Sequence, residues 1–131
     1  QLMGNKVLSA TVMTPNATAI RVYSHCGAKG GLSVLLINLS NRSVEATLAG
    51  LGPGLNQTEY QLEQSSVAVL SDYKGLLGSN VQLNGRVLSL TDTGEVPELK
   101  GIESEVSGVV SLPKLSVSFV HLTGDALHMC R

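Results

Sequence analysis

Apolar and polar side chains alternate along much of this chain with a period of two, which is the signature of half-buried β-strands. Residues 6–13 place Leu8, Ala10 and Val12 on one face. Residues 19–25 set Ile20 and Val22 against Arg21 and Tyr23. Residues 32–39 are apolar on both faces, around Val34, Leu35, Leu36 and Ile37, and read as a central strand. In 43–48, Val44, Ala46 and Leu48 alternate with Ser43, Glu45 and Thr47. In 58–63, Tyr60 and Leu62 are expected inward, with Glu59, Gln61 and Glu63 outward. Residues 106–112 and 116–122 supply the last two strands. Turn signals separate these runs: Thr14-Pro15-Asn16-Ala17, the glycine-rich stretch 27–31, and Gly50 to Gly54 with Pro53. Asn84-Gly85 predicts a type I′ hairpin that pairs Leu83 with Arg86 and Val81 with Leu88, with Val81 and Leu88 on the buried side. Residues 67–79 are ambiguous between strand and short helix, and the polar stretch 91–104 reads as an extended loop. Short strands at this spacing predict an all-β fold, an antiparallel β-sandwich, as one domain over 1–131.

Composition sharpens this picture. Fourteen glycines fit many turns, and with three Tyr, one Phe and no Trp the domain offers few aromatic platforms for sugars or single-stranded nucleic acid. A net charge of −1 gives no general attraction to nucleic acid. No apolar run approaches the roughly 18 residues of a membrane-spanning helix, although this leaves peripheral membrane association open. No secretion signal precedes Gln1, and one is expected to have been removed.

Four sequons, at Asn16, Asn38, Asn41 and Asn56, argue for the secretory route and an oxidising compartment. In that setting Cys26 and Cys130 are expected to form a disulfide. Asn38 ends an apolar run, where burial competes with glycosylation, whereas Asn41 and Asn56 fall in turns.

Catalytic chemistry is harder to find. Retaining glycosidases need two carboxylates about 5–5.5 Å apart. Glu45, Glu59 and Glu63 lie on polar strand faces, and Glu95, Glu98, Glu103 and Glu105 lie in a loop or at a strand edge. His25, His121 and His128 match no zinc spacing. No G-x-S-x-G elbow occurs, and the glycines of 27–31 lack the spacing of a phosphate loop. No complete active site, metal site or cofactor is called for.

The blocks Met3-Gly-Asn-Lys-Val-Leu-Ser-Ala10, Arg21-Val-Tyr-Ser-His-Cys26, Leu35-Leu-Ile-Asn-Leu39, Ser79-Asn-Val-Gln-Leu-Asn-Gly85, Val96-Pro-Glu-Leu99 and Ser116-Val-Ser-Phe-Val-His-Leu122, with Cys130 at the end, occur in this order. They resemble the C-terminal domain of heparanase and the plant heparanase-like proteins of glycoside hydrolase family 79. The resemblance implies a retaining β-glucuronidase built from a (β/α)₈ barrel and a β-sandwich. Both catalytic glutamates would lie in the barrel, outside these residues, so none is assigned here. It also implies pairing of Cys26 with Cys130, a glycan at Asn41, and a secreted or lysosomal location. The N-terminal catalytic barrel of the same protein would be the partner, and glucuronic-acid-containing glycans its substrate. A catalytically silent glycan- or protein-binding homologue is the alternative. The family's basic cluster ahead of the Arg-Val-Tyr block is missing, since residues 14–20 carry no positive charge. A less sulfated glucuronide such as arabinogalactan therefore fits better than heparan sulfate. In the family the sandwich also takes strand material from the N-terminal part, so this chain is expected to lack a strand and to bare an edge and an apolar face.

Overall fold

A computed structural model describes residues 2–13, 17–27, 30–64, 81–125 and 127–130. The ambiguous stretch 67–79, the turn at Thr14 to Asn16 and the centre of the glycine loop lie outside the described residues. Ten strands follow one another: β1 (Val7–Leu8), β2 (Ile20–Cys26), β3 (Leu32–Asn38), β4 (Val44–Thr47), β5 (Asn56–Gln64), β6 (Val81–Leu83), β7 (Arg86–Val87), β8 (Ile102–Glu105), β9 (Val109–Leu112) and β10 (Ser116–Thr123). All pairings are antiparallel. Eight strands form one sheet in the order β1-β2-β3-β10-β5-β6-β7, with β8 also pairing with β5. Strands β4 and β9 form a second, two-stranded sheet. The fold is all-β, two layers of antiparallel sheet with no closed barrel, as the alternation requires.

The core lies between the layers. Leu32, Val34 and Leu36 of β3 stand opposite Leu122, Val120 and Ser118 of β10. Directly opposed residues share a face. Val110 and Leu112 of β9 close this face from above, with Leu55, Leu127 and the half-buried Val22, Ala46 and Leu48 around them. At one end Asn38 is 1% exposed. Its Nδ2 donates to the carbonyls of Arg42, Leu112 and Pro113, and its Oδ1 accepts from the Ser40 amide and hydroxyl. A buried amide satisfied on both ends carries little cost. It joins β3 to the turn after it and to the end of β9.

Four expectations are corrected by the structure. In β5, Gln57 and Glu59 stand opposite Leu122 and Val120, so Gln57, Glu59, Gln61 and Glu63 share the face that carries the core. Tyr60 and Leu62 lie on the reverse face, with Phe119 and Val117. The polar side is tolerated because β5 runs past the small sheet, with Gln61 Nε2 donating to the Ser111 carbonyl of β9. In the hairpin the type I′ turn forms, with Asn84 at φ 49° and Gly85 at φ 77°. Leu83 pairs with Arg86, and the Leu88 amide reaches the Val81 carbonyl. Yet Val81 is 43% exposed while Leu83 is 6% exposed. Val81 and Leu83 lie on one face; Leu83 stands opposite Leu62, and Val81 opposite Gln64 at the end of the ladder. Finally, the strand expected over 6–13 pairs only through Val7 and Leu8. Leu8 is the last residue to touch the core, and Val12 and Met13 are exposed. The stretch 91–104 is also shorter as a loop than its polarity suggests, because β8 claims its end as an edge partner of β5.

Candidate functional site

The large sheet has a second apolar face. Reading across the registers, one row is Tyr23, Leu35, Phe119 and Tyr60, and the next is Arg21, Ile37, Val117, Leu62 and Leu83. These side chains, Arg21 aside, are apolar or aromatic. Tyr23 is 49% exposed and most of the others are half-buried. A third row holds His25, Ser33, His121 and Thr58. It carries the N-terminal segment: Ser33 Oγ donates to the Leu2 carbonyl at 2.7 Å and accepts from His121 Nδ1 at 3.0 Å, while His25 Nδ1 donates to the Gly4 carbonyl. The incoming chain is thereby strapped across this face.

Cys26 and Cys130 are bonded, with Cα atoms 5.1 Å apart across a sequence separation of 104. Lys6 Nζ donates to the Met129 carbonyl at 2.6 Å beside them. The entrance of the chain, the end of β2 and the C-terminal 3₁₀ turn (His128–Cys130) are thus joined at one corner.

The glutamates do not come together as an acid–nucleophile pair. In the ladders Glu45 faces Ser111, Glu59 faces Val120 and Ile102, Glu63 faces Gln82, and Glu103 and Glu105 face Thr58 and Asn56. Glu59 and Glu63 share a face four residues apart, roughly 13 Å along the strand. Glu59 accepts from Gln57 Nε2. Glu103 and Glu105 are exposed on β8, and Glu98 pairs with Lys100 in the exposed loop. Among the described residues, no group of three His, Cys, Asp or Glu is placed to hold a metal ion. Of the sequon asparagines, Asn41 and Asn56 are exposed. Asn38 is buried with its amide nitrogen fully used, which leaves no room for a glycan there. Asn16 lies outside the described residues.

Among the described residues, burial shifts two titratable groups in opposite directions. Burial pushes His121 below its ordinary 6.5, and burial pushes Glu63 above its ordinary 4.5. For His121 the unfolded chain binds the proton more readily, so stability is lost as pH falls through and below 6.5. For Glu63 the folded chain binds it more readily, so its contribution is present below 4.5 and lost as pH rises above that value. Urea midpoints measured from pH 7 to pH 4 should therefore fall first and level off later. His121→Gln should flatten the upper limb and Glu63→Gln the lower one. An unchanged upper limb in His121→Gln would remove the histidine from this account.

No family model matches the chain. Among curated relatives, it is 31% identical to baicalin-beta-D-glucuronidase of Scutellaria baicalensis over 97% of its length, 23% of that protein. It is 30% identical to heparanase-like protein 1 of Arabidopsis thaliana over 99% of its length, 28% of that protein. With heparanase of Bos taurus it shares 28% identity over 99% of its length, 24% of that protein. Among solved structures, CelM2, a bifunctional glucanase-xylanase protein from a metagenome library, aligns with a TM-score of 0.52 at 15% identity, over 94% of this chain and 19% of that one. This likeness speaks for the fold alone. The chain spans about a quarter of the length of the curated relatives it matches. No helix among the described residues is long and apolar enough to cross a membrane. By the ordered blocks of its sequence and by relatives that match it nearly end to end, the chain belongs to the family of heparanase and the heparanase-like glucuronidases.

Proposed function

We propose that this chain is the non-catalytic β-sandwich of a heparanase-like β-glucuronidase, secreted or lysosomal, that acts on glucuronic-acid-containing glycans. Its work is to dock on the catalytic barrel carried by the rest of that protein and to hold it stable. The observation that carries this reading is the two-sided sheet. β3 and β10 bear apolar residues on both faces, and the small sheet covers one of them. A sheet with two apolar faces belongs between two layers. The rows built on Tyr23, Leu35, Phe119 and Tyr60 are the surface that meets the barrel, and the strapped N-terminal segment brings the chain in across it.

The small sheet supports the same reading. On the outer side of β9 the Ser107 hydroxyl bonds both the amide and the carbonyl of Val109, and Gln61 takes the Ser111 carbonyl. That edge is sealed. In the β4–β9 register Val44 and Ala46 turn their backbone groups towards β9, and the Leu48 amide continues the ladder to Gly108. Glu45 and Thr47 therefore turn theirs outward, and nothing among the described residues meets them. β4 is the edge that would receive a strand from elsewhere in the parent protein. The absence of a basic cluster before Arg21 favours a weakly sulfated glucuronide as the parent's substrate.

The test compares the 131-residue chain with its full-length parent on an aryl β-glucuronide. The chain alone should give no turnover and the parent should be active. Tyr23→Lys should leave the melting of the isolated chain unchanged but lower that of the parent by several degrees. Turnover by the chain, abolished by changing one of its own glutamates, would overturn the reading.

A further inference from the structure

Charge is unevenly placed on the reverse face of the large sheet. The row of Ile37, Val117 and Leu62 continues to Leu83 on β6, and it ends on Arg21 of β2 at one side and on Arg86 of β7 at the other. Five strand spacings separate the two arginines, about 24 Å along the row. Both are exposed, and neither meets a carboxylate among the described residues. Arg21 Nη1 donates to the carbonyls of Thr18 and Ile20, which holds the guanidinium at the end of its row.

The other end of the same face is acidic. Glu103 stands opposite Thr58 and Glu105 opposite Asn56 in the β5–β8 ladder, so both carboxylates share the reverse face with them. Both are exposed. Thr58 and Asn56 lie four and six residues before Leu62 on β5, roughly 13 and 20 Å along the strand. Between the two ends the row of Tyr23, Leu35, Phe119 and Tyr60 carries no charge. Both separations exceed the Debye length of about 8 Å at physiological salt, so each end acts on whatever lies directly against it.

We propose that the part of the parent protein that docks on this face presents carboxylates to Arg21 and Arg86 and cationic side chains to Glu103 and Glu105, so that charge selects one of the two ways round. An apolar row by itself fits its partner almost equally well in either direction. Charge separates the two. The wrong way round sets arginine against cation and glutamate against carboxylate, and like charges brought together in an interface are strongly disfavoured. Arginine suits the task, because its weakly hydrated fork binds carboxylates in a fixed geometry beside aromatic rings. The occupant is the rest of the parent, since this chain spans about a quarter of its relatives' length. The inference rests on the docking reading above and adds the chemistry and orientation of the partner surface.

The test uses the full-length parent carrying Arg21→Lys and Arg86→Lys, which keep the charge and supply an amine. A carbodiimide without a spacer joins an amine to a carboxylate that it touches. Mass spectrometry should recover peptides in which position 21 or 86 is linked to an Asp or Glu outside the 131 residues. In a second variant, Glu103→Lys with Glu105→Lys should lower the melting temperature of the parent by several degrees at low salt. Near 1 M salt, where the Debye length is about 3 Å, most of that loss should vanish. The isolated chain should melt as before. Suppose positions 21 and 86 give no carbodiimide link, yet a longer amine-to-amine reagent still joins them to the rest of the protein. The face then docks without paired carboxylates, which overturns this proposal alone. Unchanged melting of the parent in the double glutamate variant would overturn the selection of orientation. No link from either position with either reagent would sink the docking reading and this one together.

Discussion

Changing Cys26 and Cys130 together to serine should cost the domain about 4–5 kcal/mol, because the bridge closes almost the whole chain. The two residues are 104 apart in sequence, so the unfolded chain regains a very large set of conformations when the bond is lost. A domain of this size is stable by only about 5–15 kcal/mol. The bridge is therefore a large share of that margin. The local consequence follows from the geometry. Leu127 is buried in the core, and the 3₁₀ turn after it is held by the Cys130 amide on the Leu127 carbonyl, by Lys6 on Met129 and by the disulfide. Without the bond, the C-terminal turn should fray first and expose Leu127. Urea unfolding of the oxidised chain, the reduced chain and the double-serine variant measures this directly. The two thiol-free or reduced forms should unfold at a much lower midpoint, and non-reducing peptide mapping should recover Cys26 and Cys130 in one linked peptide. Midpoints that agree within experimental error would show that the core holds the corner unaided.

The isolated chain should self-associate at micromolar concentration, and co-expression with the rest of the parent protein should suppress this. Two surfaces drive it. One is the open edge of β4, a template for strand addition. The other is the apolar reverse face, where Tyr23 is 49% exposed beside the half-buried Leu35, Phe119 and Tyr60. The register separates them. Glu45→Pro removes an amide that points outward and is not used, so it should blunt the edge and leave the small sheet intact. Ala46→Pro removes an amide bonded to β9 and should unfold that sheet. Tyr23→Lys places a charge on the reverse face. Sedimentation of the wild-type chain, Glu45→Pro and Tyr23→Lys apportions the association between edge and face. A monomeric wild-type chain with a single cooperative melt would show that the domain is self-sufficient and weaken the docking proposal with it.

The β-strands were legible because period-two alternation depends only on neighbours along the chain. β2 and β3 appear close to where the pattern places them, and the Asn84-Gly85 turn is fixed by two residues that tolerate positive φ. The pairing of Cys26 with Cys130 was also within reach, since a chain with two cysteines has one intramolecular pairing to make. Which side of a strand faces the core was not. Tyr60 and Leu62 share a face on sequence grounds, but that face is set by the register of β5 on β10, and a shift of one residue exchanges the two sides. Along one face of β6, Leu83 stands opposite Leu62 and is buried, while Val81 stands opposite Gln64 at the end of the ladder and is exposed. The burial of Asn38 likewise depends on carbonyls at Arg42, Leu112 and Pro113, two of them more than seventy residues away.

The sequence by itself determined an all-β domain, its hairpin, and its family through ordered blocks of residues. Those are local properties, written in spacing and residue type. The tertiary structure alone decided which side of β5 faces the core, that β4 rather than β9 is the open edge of the small sheet, and that Asn38 is buried among the carbonyls of Arg42, Leu112 and Pro113. Each of these depends on which residues are brought opposite one another across strands distant in sequence, and hydrogen-bond register is a property of the pair, not of either strand.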